Sequence, residues 1–336
     1  MKIIKRLVAP AAALAIAVLA QPAEAAPKAG LSSFPGPSIS SHVLAVIKAA
    51  ALDEKNGWEL EWHVRTTAAA WANDYYTGVY EGLNFSGINY LVTQYNKGTP
   101  IRIVGASAAY PWPLMVRADS GIDTVADLKG KVVGLSPASY SWAYMYAIFR
   151  EAGIDMDTDV KIIKANIIQA VNLLERGEYD ATMPLLSQAL ILDNKAPGEF
   201  KVLLWPDTEV ARILGRDRMY QVLTMRADWL GANPGGGAAV LRTLADAQGL
   251  LSSDIDRAVE LLGPKTVISG GTASGGSNLP EYVVRAMYEK GFFGRKMAWF
   301  GIPASELKEV WMEEMELYKD AGLIDALPDE GIFWTE

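Results

Sequence analysis

The residues best suited to chemistry in this sequence are hydroxyl and aromatic side chains where strand-like runs pass into helical ones. Ser136, Ser139, Tyr140, Ser141 and Trp142 follow the run Lys131-Val132-Val133-Gly134-Leu135 and open a helical segment. A loop that leaves the carboxyl end of a strand and enters a helix presents free backbone N–H groups beside such hydroxyls. That combination suits an anionic or polar ligand. The same serines serve equally as helix caps. Phe34-Pro35-Gly36-Pro37-Ser38 forms a second mouth of this kind, ahead of Val43, Val46, Ile47, Ala50 and Ala51 at helical spacing. Two such mouths on different lobes would face each other across a cleft.

Aromatic residues crowd the first half of the chain: Trp71, Tyr75, Tyr76, Tyr90, Tyr110, Trp112, Tyr140, Trp142, Tyr144 and Tyr146. At a cleft they grip planar or apolar ligands, and elsewhere they fill cores, the expectation for Tyr144 and Tyr146. In Pro111-Trp112-Pro113 two prolines stiffen a tryptophan just before a strand, which suits a chain crossing between domains. Arg212, Arg216 and Arg218 are read either as clamps on an anion or as locally paired surface charges.

Catalytic and metal-binding patterns are poor. The chain has no Cys, which excludes thiolate zinc sites, Cys nucleophiles and disulfides, and its two histidines, His42 and His63, offer little to a metal. There is no G-x-S-x-G, H-E-x-x-H or phosphate-binding P-loop pattern. No catalytic residue, metal or cofactor is therefore expected. With 31 Lys and Arg against 39 Asp and Glu, and no basic run, nucleic acid is not an expected partner.

Residues 1–25 read as a cleaved secretory signal peptide: Lys2, Lys5 and Arg6, then apolar residues 7–20, a Gln21-Pro22 break and the small-x-small site Ala23-Glu24-Ala25. The protein is expected in the periplasm, and without Cys it cannot carry a lipoprotein anchor. Loss of Lys2, Lys5, Arg6 and Glu24 takes the formal net charge from −8 to −10.

Strands and helices alternate over 58–225. Strands are expected at 58–64, 101–105, 114–116, 131–135, 160–163, 179–183, 201–204 and 220–225, with helices at 68–81, 141–153 and 167–176. That alternation predicts parallel, doubly wound sheets. Thr124-Val125-Ala126-Asp127 is a capping box opening a single turn closed by Gly130. Beyond 225 the pattern is mainly helical, at 237–251, 253–262, 279–291 and 304–321. The glycine-rich stretch 270–277 reads as a hinge or lid loop. At 336 residues, half of them hydrophobic, the chain accommodates two domains.

The segment Thr124-Val125-Ala126-Asp127-Leu128-Lys129-Gly130-Lys131-Val132-Val133-Gly134-Leu135 resembles a signature of periplasmic solute-binding proteins of ABC importers. Phe149-Arg150-Glu151-Ala152-Gly153-Ile154-Asp155, residues 170–177, Tyr179-Asp180-Ala181 and Thr99-Pro100-Ile101-Arg102-Ile103-Val104 fit the same pattern. The subgroup resembled is the nitrate, sulfonate, taurine and pyrimidine-precursor type, over residues 30–325. The resemblance implies an α/β, two-lobed periplasmic-binding-protein-like fold (type II), with two doubly wound sheets joined by two crossing strands near 114–116 and 222–225. Lobe one would hold 27–112 and 219–336, and lobe two, inserted, 113–218. Carried over to this sequence, ligand contacts fall on Phe34, Pro35, Ser38, Ser86, Gly87, Asn89 and Trp112. On the second lobe they fall on Ser136, Ser139, Tyr140, Ser141, Trp142, Met183 and Pro184. Thr182-Met183-Pro184-Leu185-Leu186 and Gly78-Val79-Tyr80-Glu81-Gly82 depart from the family pattern, and the aromatic, Met-containing candidate pocket suits a larger, partly apolar ligand better than nitrate or taurine.

The implied function is capture of a small organic, anionic, aromatic-bodied ligand (a sulfonate, carboxylate or pyrimidine-like molecule) for a membrane permease and its ATPase subunits, by a monomeric protein. The alternatives are an enzyme on the same bilobal scaffold, of lyase or pyrimidine-synthesis type, and a sensor domain.

Overall fold

A computed structural model of the chain describes residues 26–33, 39–65, 68–108, 112–135, 141–164, 167–215, 221–262, 279–292 and 300–335. The strands are β1 (Lys28–Ser33), β2 (Glu59–Val64), β3 (Gly82–Gly87), β4 (Ile101–Ala108), β5 (Leu114–Arg117), β6 (Val132–Leu135), β7 (Lys161–Lys164), β8 (Ala181–Thr182), β9 (Phe200–Leu204) and β10 (Gln221–Arg226). Helices α1 (Ile39–Ala49), α2 (Leu52–Lys55), α3 (Ala68–Tyr76) and α4 (Ile88–Asn96) lie among the first four strands. Helices α5 (Ser141–Glu151), α6 (Ile167–Glu175), α7 (Leu186–Lys195) and α8 (Pro206–Leu214) alternate with the next. The chain then closes with α9 (Ala227–Ala232), α10 (Gly236–Ser253), α11 (Ile255–Leu262), α12 (Glu281–Glu289) and α13 (Ala304–Asp320).

The strands form two five-stranded sheets, ordered β2-β1-β3-β10-β4 and β7-β6-β8-β5-β9. Each sheet contains one strand antiparallel to the rest, β10 in the first and β5 in the second. Both orders follow the same plan, with the antiparallel strand in the same fourth place. The sheets are therefore mixed, not wholly parallel as the alternation predicts. The reason is topological: β5 and β10 each enter a sheet from the other sheet's side rather than through a helix of their own sheet.

Local chemistry accounts for the elements. Val132, Val133 and Leu135 favour an extended chain, and β6 runs parallel to both of its neighbours, β7 and β8. In α5 the residues Tyr144, Met145, Ile148 and Phe149 are buried, while Arg150 between the apolar stripes is exposed. Full burial of a side chain such as Phe149 stabilises by about 1.5–3 kcal/mol. The Thr124 capping box forms as expected, with the Thr124 backbone N–H donating to Asp127 Oδ2 at 2.8 Å. The Asp127 carboxyl is held below the usual range, first by that backbone hydrogen bond and then by the Thr124 hydroxyl.

Boundaries differ from expectation at identifiable places. Helix α3 stops at Tyr76 rather than Glu81, because Gly78 takes φ +81° and the Thr77 hydroxyl bonds back to the Asn73 carbonyl at 2.8 Å. Strand β8 spans two residues rather than five. Helices α4, α7, α8 and α9 were not anticipated. For α8 the signal was present: Pro206 opens it, Asp207 and Glu209 fill its first turn, and Gly215 at φ +72° closes it.

Candidate functional site

The two sheets present their carboxyl edges to a common junction, as the connections require. The carboxyl end of β4 is Ala108, and β5, antiparallel within the second sheet, begins at that sheet's carboxyl edge at Leu114. Six residue steps span at most about 22 Å, so the two edges cannot lie far apart. The return path runs likewise: β9 ends at Leu204 at the second edge, and after α8 the chain re-enters the first sheet at Gln221, beside Gly87 and Ala108. Carboxyl edges where strand order reverses are where open α/β sheets take ligands. The ends of β1 (Ser33), β3 (Gly87), β6 (Leu135) and β8 (Thr182) converge on this junction, each leading into a helix.

Of the residues expected at the site, Phe34, Pro35, Ser38, Ser136, Ser139 and Tyr140 lie outside the described residues. Ser86 sits in β3 opposite Val222, and Ser141 and Trp142 open α5, described by backbone alone. Asn89 stands in the first turn of α4, buried at 5% exposure, its Oδ1 without a hydrogen-bond partner. Trp112, just ahead of β5, is 9% exposed and packs in the main core. Met183 follows β8 directly and is 4% exposed in the same core. The junction thus brings together the elements carrying Ser86, Asn89, Trp112 and Met183.

Neighbouring interactions fix the edges. The Thr182 hydroxyl donates to the Gly134 carbonyl at 2.8 Å, tying β8 to β6. Trp62 Nε1 donates to the Ser33 hydroxyl at 2.8 Å, and Trp71 Nε1 to the Ser32 carbonyl at 3.3 Å, holding the end of β1. Behind that end, the His63 ring stacks on Tyr80 at 5.6 Å, and the Arg65 guanidinium lies 5.8 Å from the Tyr80 ring centre. Arg65 is drawn to Asp74 at 2.5 Å. Tyr75 is fully buried, and desolvation raises its hydroxyl pKa, so it remains neutral. This cluster realises the core-filling role for Tyr75, while Tyr90 is 43% exposed.

The other expectations separate cleanly. Arg212 pairs with Glu209 at 3.0 Å and Glu151 at 3.8 Å on the surface, which is the local role, while Arg216 and Arg218 lie outside the described residues. The glycine-rich stretch 270–277 also lies outside them. Among the described residues no cluster of three or more His, Asp or Glu could hold a metal, and no helix is long and apolar enough to cross a membrane. Gln221 was missed by the sequence reading. Like Asn89 it is 5% exposed, and its Oε1 has no partner. Its signal was positional: it is the first residue of the second crossing strand, where a polar side chain is unexpected in a buried run.

Two mixed sheets of one plan, exchanging strands at their carboxyl edges, define the two-lobed fold of periplasmic binding proteins. Solved structures agree. The periplasmic aliphatic sulphonate binding protein SsuA from Escherichia coli superposes with a TM-score of 0.68 at 18% identity, over 92% of each chain. The alkanesulfonate-binding protein SsuA from Xanthomonas axonopodis pv. citri, bound to MOPS, matches with a TM-score of 0.64 at 17% identity, covering 90% of this chain and 94% of that one. The desulfurization enzyme DSZB shares the fold at a TM-score of 0.60 and 13% identity, covering 92% of this chain and 97% of its own. In sequence, residues 82–213 match the family model described as NMT1/THI5 like, the stretch richest in the motifs noted above. No curated protein sequence matches the chain significantly.

Proposed function

We propose that this chain is the extracytoplasmic solute-binding component of an ABC import system. It captures a small organic ligand with an anionic head and a planar body, of sulfonate, carboxylate or pyrimidine-like class, between its lobes. Residues 1–25 act as a cleaved signal peptide, and the mature protein works in the periplasm as a monomer. Lobe one comprises 27–112 and 219–336, and lobe two 113–218. The observation that carries the reading is the junction itself: two sheets of one plan meet carboxyl edge to carboxyl edge, joined by the β4–β5 and α8–β10 connections. Such a pair of lobes has an open and a closed arrangement, and a ligand that contacts both edges favours the closed one. The permease and ATPase subunits then take up the closed form.

The ligand contacts of this reading are Phe34, Pro35, Ser38, Ser86, Asn89 and Trp112 on lobe one, and Ser136, Ser139, Tyr140, Ser141, Trp142 and Met183 on lobe two. DSZB, an enzyme with this fold, motivates the alternative of catalysis in the same cleft. The scarcity of catalytic patterns weighs against it, since the chain lacks Cys and one of its two histidines is sealed in the core. The test is tryptophan fluorescence and thermal shift of the mature chain against a panel of sulfonates, aromatic carboxylates and pyrimidines, with the panel recovered for mass analysis. Saturable binding with the ligand returned intact is expected; conversion of a panel member would overturn the reading.

A further inference from the structure

We infer that the lobe-one edge recognises a hydrogen-bond donor on the ligand, an N–H or O–H group, through the side-chain carbonyls of Asn89 and Gln221. This rests on the solute-binding reading above and specifies what the ligand must carry besides an anionic head. Gln221 opens β10 and pairs with Gly87 on one side and Ala108 on the other, at the carboxyl edge of the first sheet. Asn89 stands two residues beyond Gly87, in the first turn of α4. Each residue is 5% exposed, and each amide oxygen is buried without a partner.

Among the described residues, the buried side-chain amide oxygens that lack a partner are these two, and both stand at one edge. A buried carbonyl without a donor weakens a fold, and native proteins keep few of them. Two at the same strand end, where sheets of this kind take ligands, mark acceptors kept open for a guest. A sulfonate or carboxylate oxygen accepts hydrogen bonds and meets only repulsion from a carbonyl oxygen. An amine, ammonium, amide or hydroxyl group satisfies it. The preferred ligand therefore carries an acceptor head and, apart from it, at least one donor. A simple alkanesulfonate, which has acceptors alone, leaves both carbonyl oxygens unpaired.

The experiment uses the mature chain and matched probe pairs that differ by one amino group: ethanesulfonate and taurine, propanesulfonate and homotaurine, benzenesulfonate and metanilate, benzoate and para-aminobenzoate. Titration calorimetry is expected to show the amino member binding about tenfold or more tighter in the pairs that bind, the effect of leaving a buried acceptor unpaired. Gln221→Met and Asn89→Leu remove an acceptor while keeping the branching of the side chain at Cβ and Cγ. Each is expected to abolish that preference while keeping or raising the melting temperature of the ligand-free protein. Equal affinity within the pairs, or a clear fall in the ligand-free melting temperature of both variants, overturns this inference alone. A panel in which nothing binds overturns the solute-binding reading and this inference with it.

Discussion

Acidification tests the packing of the first lobe through one residue. His42 lies in α1 at 1% exposure, between the buried residues Ser41 and Val43, and neither ring nitrogen has a hydrogen-bond partner. Burial alone pushes its pKa down to about 3 from the ordinary 6.5. The folded chain thus holds His42 neutral, whereas the unfolded chain lets it take a proton once the pH drops below about 6.5. The stability associated with His42 is therefore complete above that value and is lost as the pH falls from 6.5 towards 3. Integrated from neutral pH to pH 5, the loss is about 2 kcal/mol; carried down to pH 3, it is about 4 kcal/mol. Domains of this kind have about 5–15 kcal/mol in total, so the effect at pH 5 is large enough to measure.

The assay is urea unfolding of the ligand-free mature chain at pH 7.5 and at pH 5, followed by far-UV circular dichroism, for the wild type and for His42→Leu. Leucine cannot titrate and fills a similar volume. Ordinary carboxylates titrate near pH 4 and affect both proteins alike. The wild type is expected to lose about 2 kcal/mol more than the variant over this interval. An equal loss in the two proteins would show that His42 is reached by water or by a partner, and would refute the reasoning.

Other substitutions probe the second sheet and the contact between α5 and α13. Gly134→Ala places a Cβ 2.4 Å from the Tyr179 ring, so it should lower stability by about 1–3 kcal/mol. Tyr179→Leu should relieve part of that loss in a double-mutant cycle of urea melts. Asp180→Ala removes the carboxylate that accepts the Val132 N–H at 2.8 Å, and thermal unfolding should show a loss of about 1–2 kcal/mol without change of secondary structure. Tyr144→Phe takes a hydroxyl donor from the fully buried Glu314, to which Tyr318 also donates at 3.2 Å. A loss of about 1–3 kcal/mol is expected in calorimetric melts, and Glu314→Gln should restore part of it in the Tyr144→Phe background, because a neutral amide tolerates burial better than a carboxylate.

The parts of the fold legible in the sequence are those set by local rules. Alternating apolar periodicity located most strands, the Thr124–Asp127 box appeared where its residues stood, and Gly130 and Gly153 closed their turns at positive φ. The motifs that carried the family resemblance are of this structural kind: Asp127 caps, Asp180 ties β8 to β6, and Gly130 turns the chain at φ +77°. They made the scaffold recognisable without indicating the ligand. What was not legible depends on residues far apart in sequence. That β5 and β10 run against their neighbours follows from the path between lobes, and that Trp112 and Met183 are enclosed follows from core packing. Gln221 resembles any polar residue at a strand start until the strand is placed between Gly87 and Ala108.

On the solute-binding reading proposed above, that placement couples binding to motion. The β10 strand is the return crossing of the chain and the floor of the lobe-one edge, so Gln221 belongs to both. The outward crossing is built alike: Trp112 precedes β5, which begins at the carboxyl edge of the second sheet, and Trp112 is enclosed in the same core as Leu114. Gln221 is held on two sides by its pairing with Gly87 and Ala108 and on the third by the connection. A change in the relative attitude of the lobes alters the connection first and the ladder last. An acceptor placed at that boundary senses the change directly, whereas the same side chain on an outer helix would move with its lobe and report nothing. Ligand discrimination by Gln221 should therefore appear in the equilibrium between open and closed forms as much as in contact energy. Gln221→Met is accordingly expected to reduce the ligand-induced compaction seen by small-angle scattering at saturating ligand, while Asn89→Leu, on a helix beside the crossing, should weaken affinity and leave the saturated compaction intact.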